Sequence, residues 1–360
     1  MTPLVLYAYM NTTQPPIKLV PADSSSNRGK SEGPGTQNRW QQELQRLIRE
    51  PSELAEMLNI NPEELCHLAN GQFELRVTHH FISLMKPGEL QDPLLLQVMP
   101  ALAETVEQIG YNREPLAESE KFNPLPGVIH KYKGRLLLMA SNQCAINCRY
   151  CFRRHFPYQD HHLGRKQWLD AINYIAQDNS LSEVILSGGD PLSQSDKQLA
   201  WLTEQLTQIP HIKRLRIHSR LPVVLPQRVC DELLGWMNSK QLQTSLVLHI
   251  NHPQEISPQL QQACRELTAA GVRLYNQSVL LKGINDDVDT LTRLSEELYE
   301  CFIQPYYLHQ LDKVQGAAHF QVDDKYAQEL YHRLRAELPG YLVPLLTQEI
   351  PGEPAKTPII

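Results

Sequence analysis

The chain has 360 residues, 41% of them apolar and 21% charged, ordinary values for a sequence that buries a large core in two or three units or one large α/β domain with an appendage. Its 34 basic and 40 acidic residues leave a formal charge of −6, which argues against nucleic acid or an anionic membrane as the main partner, because the field of the whole molecule attracts neither. No apolar run approaches the ~20 residues of a bilayer span, and no basic segment precedes the apolar opening MTPLVLYAYM, so no signal peptide is read and a cytoplasmic enzyme is expected.

Residues 1–38 read as a flexible leader, since 11–38 are rich in Ser, Pro, Gly, Asn and Gln and hold no sustained apolar period. Residues 39–127 read as a helical region. Trp40, Leu44, Leu47 and Ile48 share one helical face; Pro51 is expected to stop that helix, with Ser52 capping the next. No catalytic constellation is visible in this region. From 128 to 338 short aliphatic runs alternate with amphipathic stretches, the pattern of βα units around a parallel sheet. The runs are 135–141, 183–189, 214–219, 245–251, 272–281 and 303–309. Six strands are fewer than a closed eight-stranded barrel needs, so an α/β fold with a partial (β/α)6 barrel is expected, with a doubly wound sheet as the alternative. Residues 339–360 form a C-terminal segment.

Chemistry in parallel α/β folds sits beyond the C-terminal ends of the strands. That rule gathers the segment 142–156, Ser187-Gly188-Gly189-Asp190, His218-Ser219-Arg220, His249-Ile250-Asn251 and His309-Gln310-Leu311-Asp312 at one mouth. Of seven cysteines, Cys66, Cys230, Cys264 and Cys301 stand singly and read as small buried hydrophobes. Cys144, Cys148 and Cys151 crowd into one loop, too close to staple a fold, and read as metal ligands. Their C-x3-C-x2-C spacing suits three irons of a 4Fe-4S cluster with the fourth iron open. A zinc site with a fourth ligand from elsewhere, or an electron-transfer cluster, is the alternative.

With Tyr150 before the third cysteine, this loop resembles the radical S-adenosylmethionine (SAM) superfamily, which implies that the open iron binds SAM and that reduction yields a 5′-deoxyadenosyl radical. Gly188, Gly189 and Asp190 match that family's second-strand glycine motif, whose backbone meets the methionine amino group. The segments CRYCFRRHFPY, SGGDPL, RLRIHSRLPVVLP, HINHP, NQSVLLKGIND and PYYLHQLDKVQGAAHF together are similar to the lysine 2,3-aminomutases, most of all to the bacterial branch that makes β-lysine for elongation factor P. The resemblance covers about residue 40 to the C-terminus.

It implies an isomerase that moves the amino group of L-lysine from Cα to Cβ, with a reducing electron donor and pyridoxal 5′-phosphate bound as a Schiff base to Lys356, in the loop Pro351-Gly352-Glu353-Pro354-Ala355-Lys356. The family has a run of glycines where Glu353-Pro354-Ala355 stand. Lys131, Tyr132 and Arg135 match phosphate-binding positions, with lysine at 131 in place of arginine. Arg153 matches the arginine that binds the substrate carboxylate, and Asp312 and Glu349 the two acidic positions that hold its distal ammonium; the family has Asp where Glu349 stands. His249 and Gln277 match SAM contacts. Asp287 replaces a zinc cysteine of some relatives, and the sequence ends four residues after Lys356, so their intersubunit zinc is not expected. The rivals are an aminomutase for arginine or glutamate, an iron–sulfur electron-transfer or redox-binding protein, and a zinc-stabilised module. A functional link to a β-lysine ligase is the expected partner relation.

Overall fold

The computed structural model describes residues 39–61, 70–118, 122–156 and 164–359. The leader expected over 1–38 and Cys66 lie outside them.

One nine-stranded sheet organises the molecule, and its strands follow one another in chain order. They are β1 (Val128–Tyr132), β2 (Arg135–Ser141), β3 (Glu183–Gly188), β4 (Arg214–Ser219), β5 (Gln243–Leu248), β6 (Arg273–Val279), β7 (Ile303–His309), β8 (Leu345–Gln348) and β9 (Thr357–Pro358). Strands β2 to β8 pair in parallel, and β1 and β9 pair antiparallel at the two ends. A doubly wound sheet reverses strand order at a switch point; the sequential order here is that of a barrel wall. The six expected strands are all present as β2–β7. The chain adds a hairpin strand before them and a seventh parallel strand, β8, after them.

The hairpin turns at Lys133-Gly134, where Tyr132 pairs with Arg135 and Gly134 takes φ +78°, a left-handed conformation that suits glycine. It brings Lys131, Tyr132 and Arg135 to one edge. Side chains alternate in and out along each strand, and the usual polarity is partly inverted. In β4 Leu215, Ile217 and Ser219 are buried, whereas Arg216 and His218 face an internal cavity. In β6 Tyr275 and Gln277 do the same. The apolar face packs under helices such as Arg165–Gln177, Asp196–Thr207, Pro258–Ala269 and Val288–Glu300, leaving the concave face for polar groups.

Two local expectations are revised. Pro51 opens its helix rather than ending the previous one: the first helix ends at Gln45, and Pro51–Met57 has Pro51 at its first turn with Glu50, not Ser52, at the N-cap. Proline lacks only an N–H that the first turn leaves unpaired anyway. Asp287 caps Val288–Glu300 by accepting from Thr290 N–H at 2.8 Å. Among the described residues no helix is long and apolar enough to cross a membrane.

Candidate active site

A cavity of about 900 Å³ runs along the concave face of the sheet, near the upper end of the ~300–1,000 Å³ that small-molecule sites occupy. All the site residues expected from sequence line it: Cys144, Cys148, Cys151, Gly188, Gly189, Asp190, His249, Gln277, Lys131, Tyr132, Arg135, Arg153, Asp312, Glu349 and Lys356.

The cysteine loop follows β2 and is held down by arginines. Buried Arg149 makes a two-point pair with Glu104, Nε to Oε1 at 2.8 Å and Nη2 to Oε2 at 2.6 Å. Arg154 Nη2 reaches the same carboxylate at 2.7 Å. Arg153 forms a second fork with Glu118, at 2.8 and 3.1 Å, and donates from Nη1 to Ser187 Oγ at 3.0 Å. The helical region before β1, silent in the sequence, thus supplies the anions that shape this loop. Cys144, Cys148 and Cys151 are free. Burial raises the Cys144 thiol, and burial with the neighbouring Cys148 pushes Cys151 up to about 11. Among the described residues no three His, Cys, Asp or Glu side chains converge to hold a single ion, whereas an iron–sulfur cube takes each thiolate on a separate iron. Three thiols on one loop at the cavity wall fit such a cube.

The Gly-Gly-Asp turn after β3 packs against this loop. Gly188 has φ +116°, and a Cβ there would lie 2.5 Å from the Ser141 carbonyl oxygen; one on Gly189 would lie 2.6 Å from the Gln143 carbonyl oxygen. Gly189 N–H donates to Ser141 O and Asp190 N–H to Gln143 O, both at 2.7 Å. The close approach that requires glycine is therefore first of all to the protein's own loop. Asp190 borders the cavity, yet its carboxylate accepts from Leu192 N–H, Ser219 Oγ–H, Arg220 N–H and Leu221 N–H at 2.7–3.0 Å. It braces the ends of β3 and β4.

At the other wall Glu349, just past β8, stands between two ammonium groups. Lys131 Nζ donates to Oε1 at 2.5 Å and Lys356 Nζ to Oε2 at 2.8 Å. Burial alone would raise this carboxyl, but the two lysines hold it well below the usual carboxylate range. Lys356 also lies 5.6 Å above the Tyr307 ring, and the Arg135 guanidinium 4.6 Å above the Tyr132 ring. Lys131, Tyr132 and Arg135 make a corner of donors suited to a phosphate, beside a lysine able to condense with a carbonyl. Asp312 differs from Glu349: burial, then the nearby Glu349 charge, push it up to about 7. Between the walls, His249 Nε2 and Gln277 Nε2 are 2.9 Å apart, and burial lowers His249 to about 3, so the ring stays neutral.

Sequence reasoning missed Glu104 and Glu118. They are separated by 45 and 35 positions from their arginines, and no local pattern sets them apart from the acidic residues around them.

Residues 138–294 match the model of the Radical SAM superfamily. An "L-lysine 2,3-aminomutase" of Haemophilus influenzae is 49% identical over 320 residues, which cover 88% of this chain and 94% of the relative. One of Escherichia coli is 47% identical over 323 residues, 89% of this chain and 94% of the relative. One of Clostridium subterminale is 36% identical over 326 residues, 90% of this chain and 78% of the relative.

Proposed function

The chain belongs to the L-lysine 2,3-aminomutase family of radical SAM proteins, and from that premise we propose that it converts L-lysine to β-lysine by moving the α-amino group to Cβ. The observation that carries this reading is one continuous cavity bordered by a three-thiol loop, a lysine that can condense with a carbonyl, and two carboxylates. When bound, the 4Fe-4S cluster with SAM supplies a 5′-deoxyadenosyl radical, and pyridoxal phosphate supplies a carbonyl for the amine and a ring that spreads an unpaired electron.

The residues of this chain bind, orient and exclude water. Cys144, Cys148 and Cys151 hold the cluster. Gly188 and Gly189 let the turn after β3 pack against the backbone of the cysteine loop, beside which the amino end of SAM would lie, and Asp190 holds that turn rigid. His249 and Gln277 offer uncharged hydrogen-bonding groups to SAM. Lys356 anchors pyridoxal phosphate, and Lys131, Tyr132 and Arg135 take its phosphate. Arg153 presents a guanidinium suited to the substrate carboxylate, and Glu118 orients it from Nε and Nη2. Asp312 and Glu349 receive the distal ammonium. Two acidic groups there favour a cationic side chain, which speaks for lysine over glutamate. Glu349 carries one methylene more than the aspartate usual in the family, and Glu349→Asp is expected to alter turnover or the enantiomer formed.

The reading extends to a reducing electron donor, a cytoplasmic setting, and use of free β-lysine by a separate ligase acting on elongation factor P. This last link rests on likeness to that bacterial branch. The test is anaerobic reconstitution with iron, sulfide and pyridoxal phosphate, then incubation with L-lysine, SAM and dithionite, with chiral analysis of the amino acids. β-Lysine as the main product supports the reading. SAM cleavage with lysine unchanged, while arginine rearranges, overturns it.

A further inference from the structure

Arg220 follows β4, and no step above uses its side chain. Its backbone N–H and that of Leu221 both donate to Asp190 Oδ2, at 2.8 and 2.9 Å, which fixes the direction in which the side chain leaves the strand. The residue is 4% exposed. Its Nη2 donates to Gln97 Oε1 at 2.6 Å and to Glu255 Oε2 at 2.9 Å. Its Nη1 donates to Tyr150 Oη and lies 2.8 Å from both that oxygen and Cys148 Sγ. Glu255 is in turn immobilised by the N–H groups of Asn251 and His252, at 2.9 and 3.1 Å. A cation is thus locked, by groups from four parts of the chain, against one sulfur of the cysteine loop.

We propose that Arg220 sets the reduction potential of the iron–sulfur cluster, its Nη1–H bonding to the Cys148 sulfur and its charge stabilising the added electron. Hydrogen bonds to the sulfurs and nearby charge are among the main determinants of such potentials, and a charge held in a poorly solvated site acts more strongly than one in water. Glu255 opposes the effect from farther away, because it meets the far nitrogen of the same guanidinium. The pair therefore makes opposite predictions for two substitutions. Removing the cation leaves the cluster harder to reduce; removing the anion leaves it easier to reduce. The inference rests on the family's cluster and not on lysine as the substrate.

The test is a redox titration of the anaerobically reconstituted full chain, followed by electron paramagnetic resonance, without SAM or lysine. The readout therefore stands whatever the enzyme acts on. Arg220→Gln is expected to shift the midpoint to more negative values, Arg220→Lys to restore it in part, and Glu255→Gln to shift it to more positive values, with iron content equal to wild type. A wild-type midpoint in Arg220→Gln at full iron content overturns the proposal. If Arg220→Gln takes up no iron, Arg220→Lys and Glu255→Gln decide: midpoints unshifted, or shifted in the same direction, overturn it.

Discussion

At the level of single residues, the two carboxylates assigned to the distal ammonium are unlike each other. Glu349 is ionised by its lysine neighbours, whereas Asp312 sits near pH 7 because burial and the Glu349 charge disfavour a second anion. A cationic ligand needs Asp312 charged, so affinity for L-lysine is expected to rise as pH increases through about 7 and then level off. Calorimetric titration across pH 6–9, a range of roughly 1–2 units about that value, checks this; affinity that does not change with pH excludes Asp312 from the contact. The stability effect has the opposite sign. A raised carboxyl pKa means that the unfolded chain gives up its proton first, so the group lowers stability as pH rises from its unfolded value toward 7 and adds nothing further above that. Asp312→Asn is therefore expected to raise the Tm of the ligand-free protein at pH 7.5 more than at pH 5, and to weaken lysine binding by roughly ten- to a hundredfold, the loss of one charge-assisted contact. Lys356→Ala is expected to abolish the visible absorbance of lysine-bound pyridoxal phosphate while leaving iron content unchanged. A retained band places the anchor at another lysine.

At the level of elements, sequence and structure agree on the strands that alternate with helical periods and part at the two ends of the sheet. Strands β2 to β7 are legible because six or seven residues of strand pattern separate helical periods. Strand β8 is only Leu345–Gln348 after a proline, too short to carry a period, yet it presents Glu349 to the cavity. The Gly-Gly-Asp motif was legible as a place where a Cβ cannot stand, but its nearest neighbour is the backbone of the cysteine loop. Gly189→Ala sets a methyl 2.6 Å from Gln143 O, a distance that only movement of that loop relieves. Loss of cluster iron is expected, with the helices intact by circular dichroism; normal iron loading would show that the turn yields instead. The clamp between Arg149, Arg154 and Glu104 is fully buried. Removing one member of such a group costs about 3–5 kcal/mol, so Glu104→Ala is expected to lower the urea midpoint clearly. A midpoint equal to wild type would mean that water replaces the carboxylate.

At the level of the whole molecule, the barrel wall stays open, and its apolar residues go outward under the helices while the concave face keeps arginine, histidine, tyrosine and glutamine. Such a fold gains stability from whatever fills the hollow. Pyridoxal phosphate at one hundred times its Kd adds about 2.7 kcal/mol, so it is expected to raise the Tm of wild type by a few degrees and that of Lys356→Ala by less. Equal shifts would separate binding from the covalent anchor.

The bridge of Lys131, Glu349 and Lys356 also implies an order of loading. A carboxylate gripped by two ammonium groups gains little by turning to a third, so under the proposed reading free amino acid arriving first would find Glu349 already engaged. Were pyridoxal phosphate to bind as proposed, with Lys356 at its carbonyl and Lys131 at its phosphate, the same carboxylate would be left free for a new cation. On that proposal the cofactor's arrival would open the place the substrate takes.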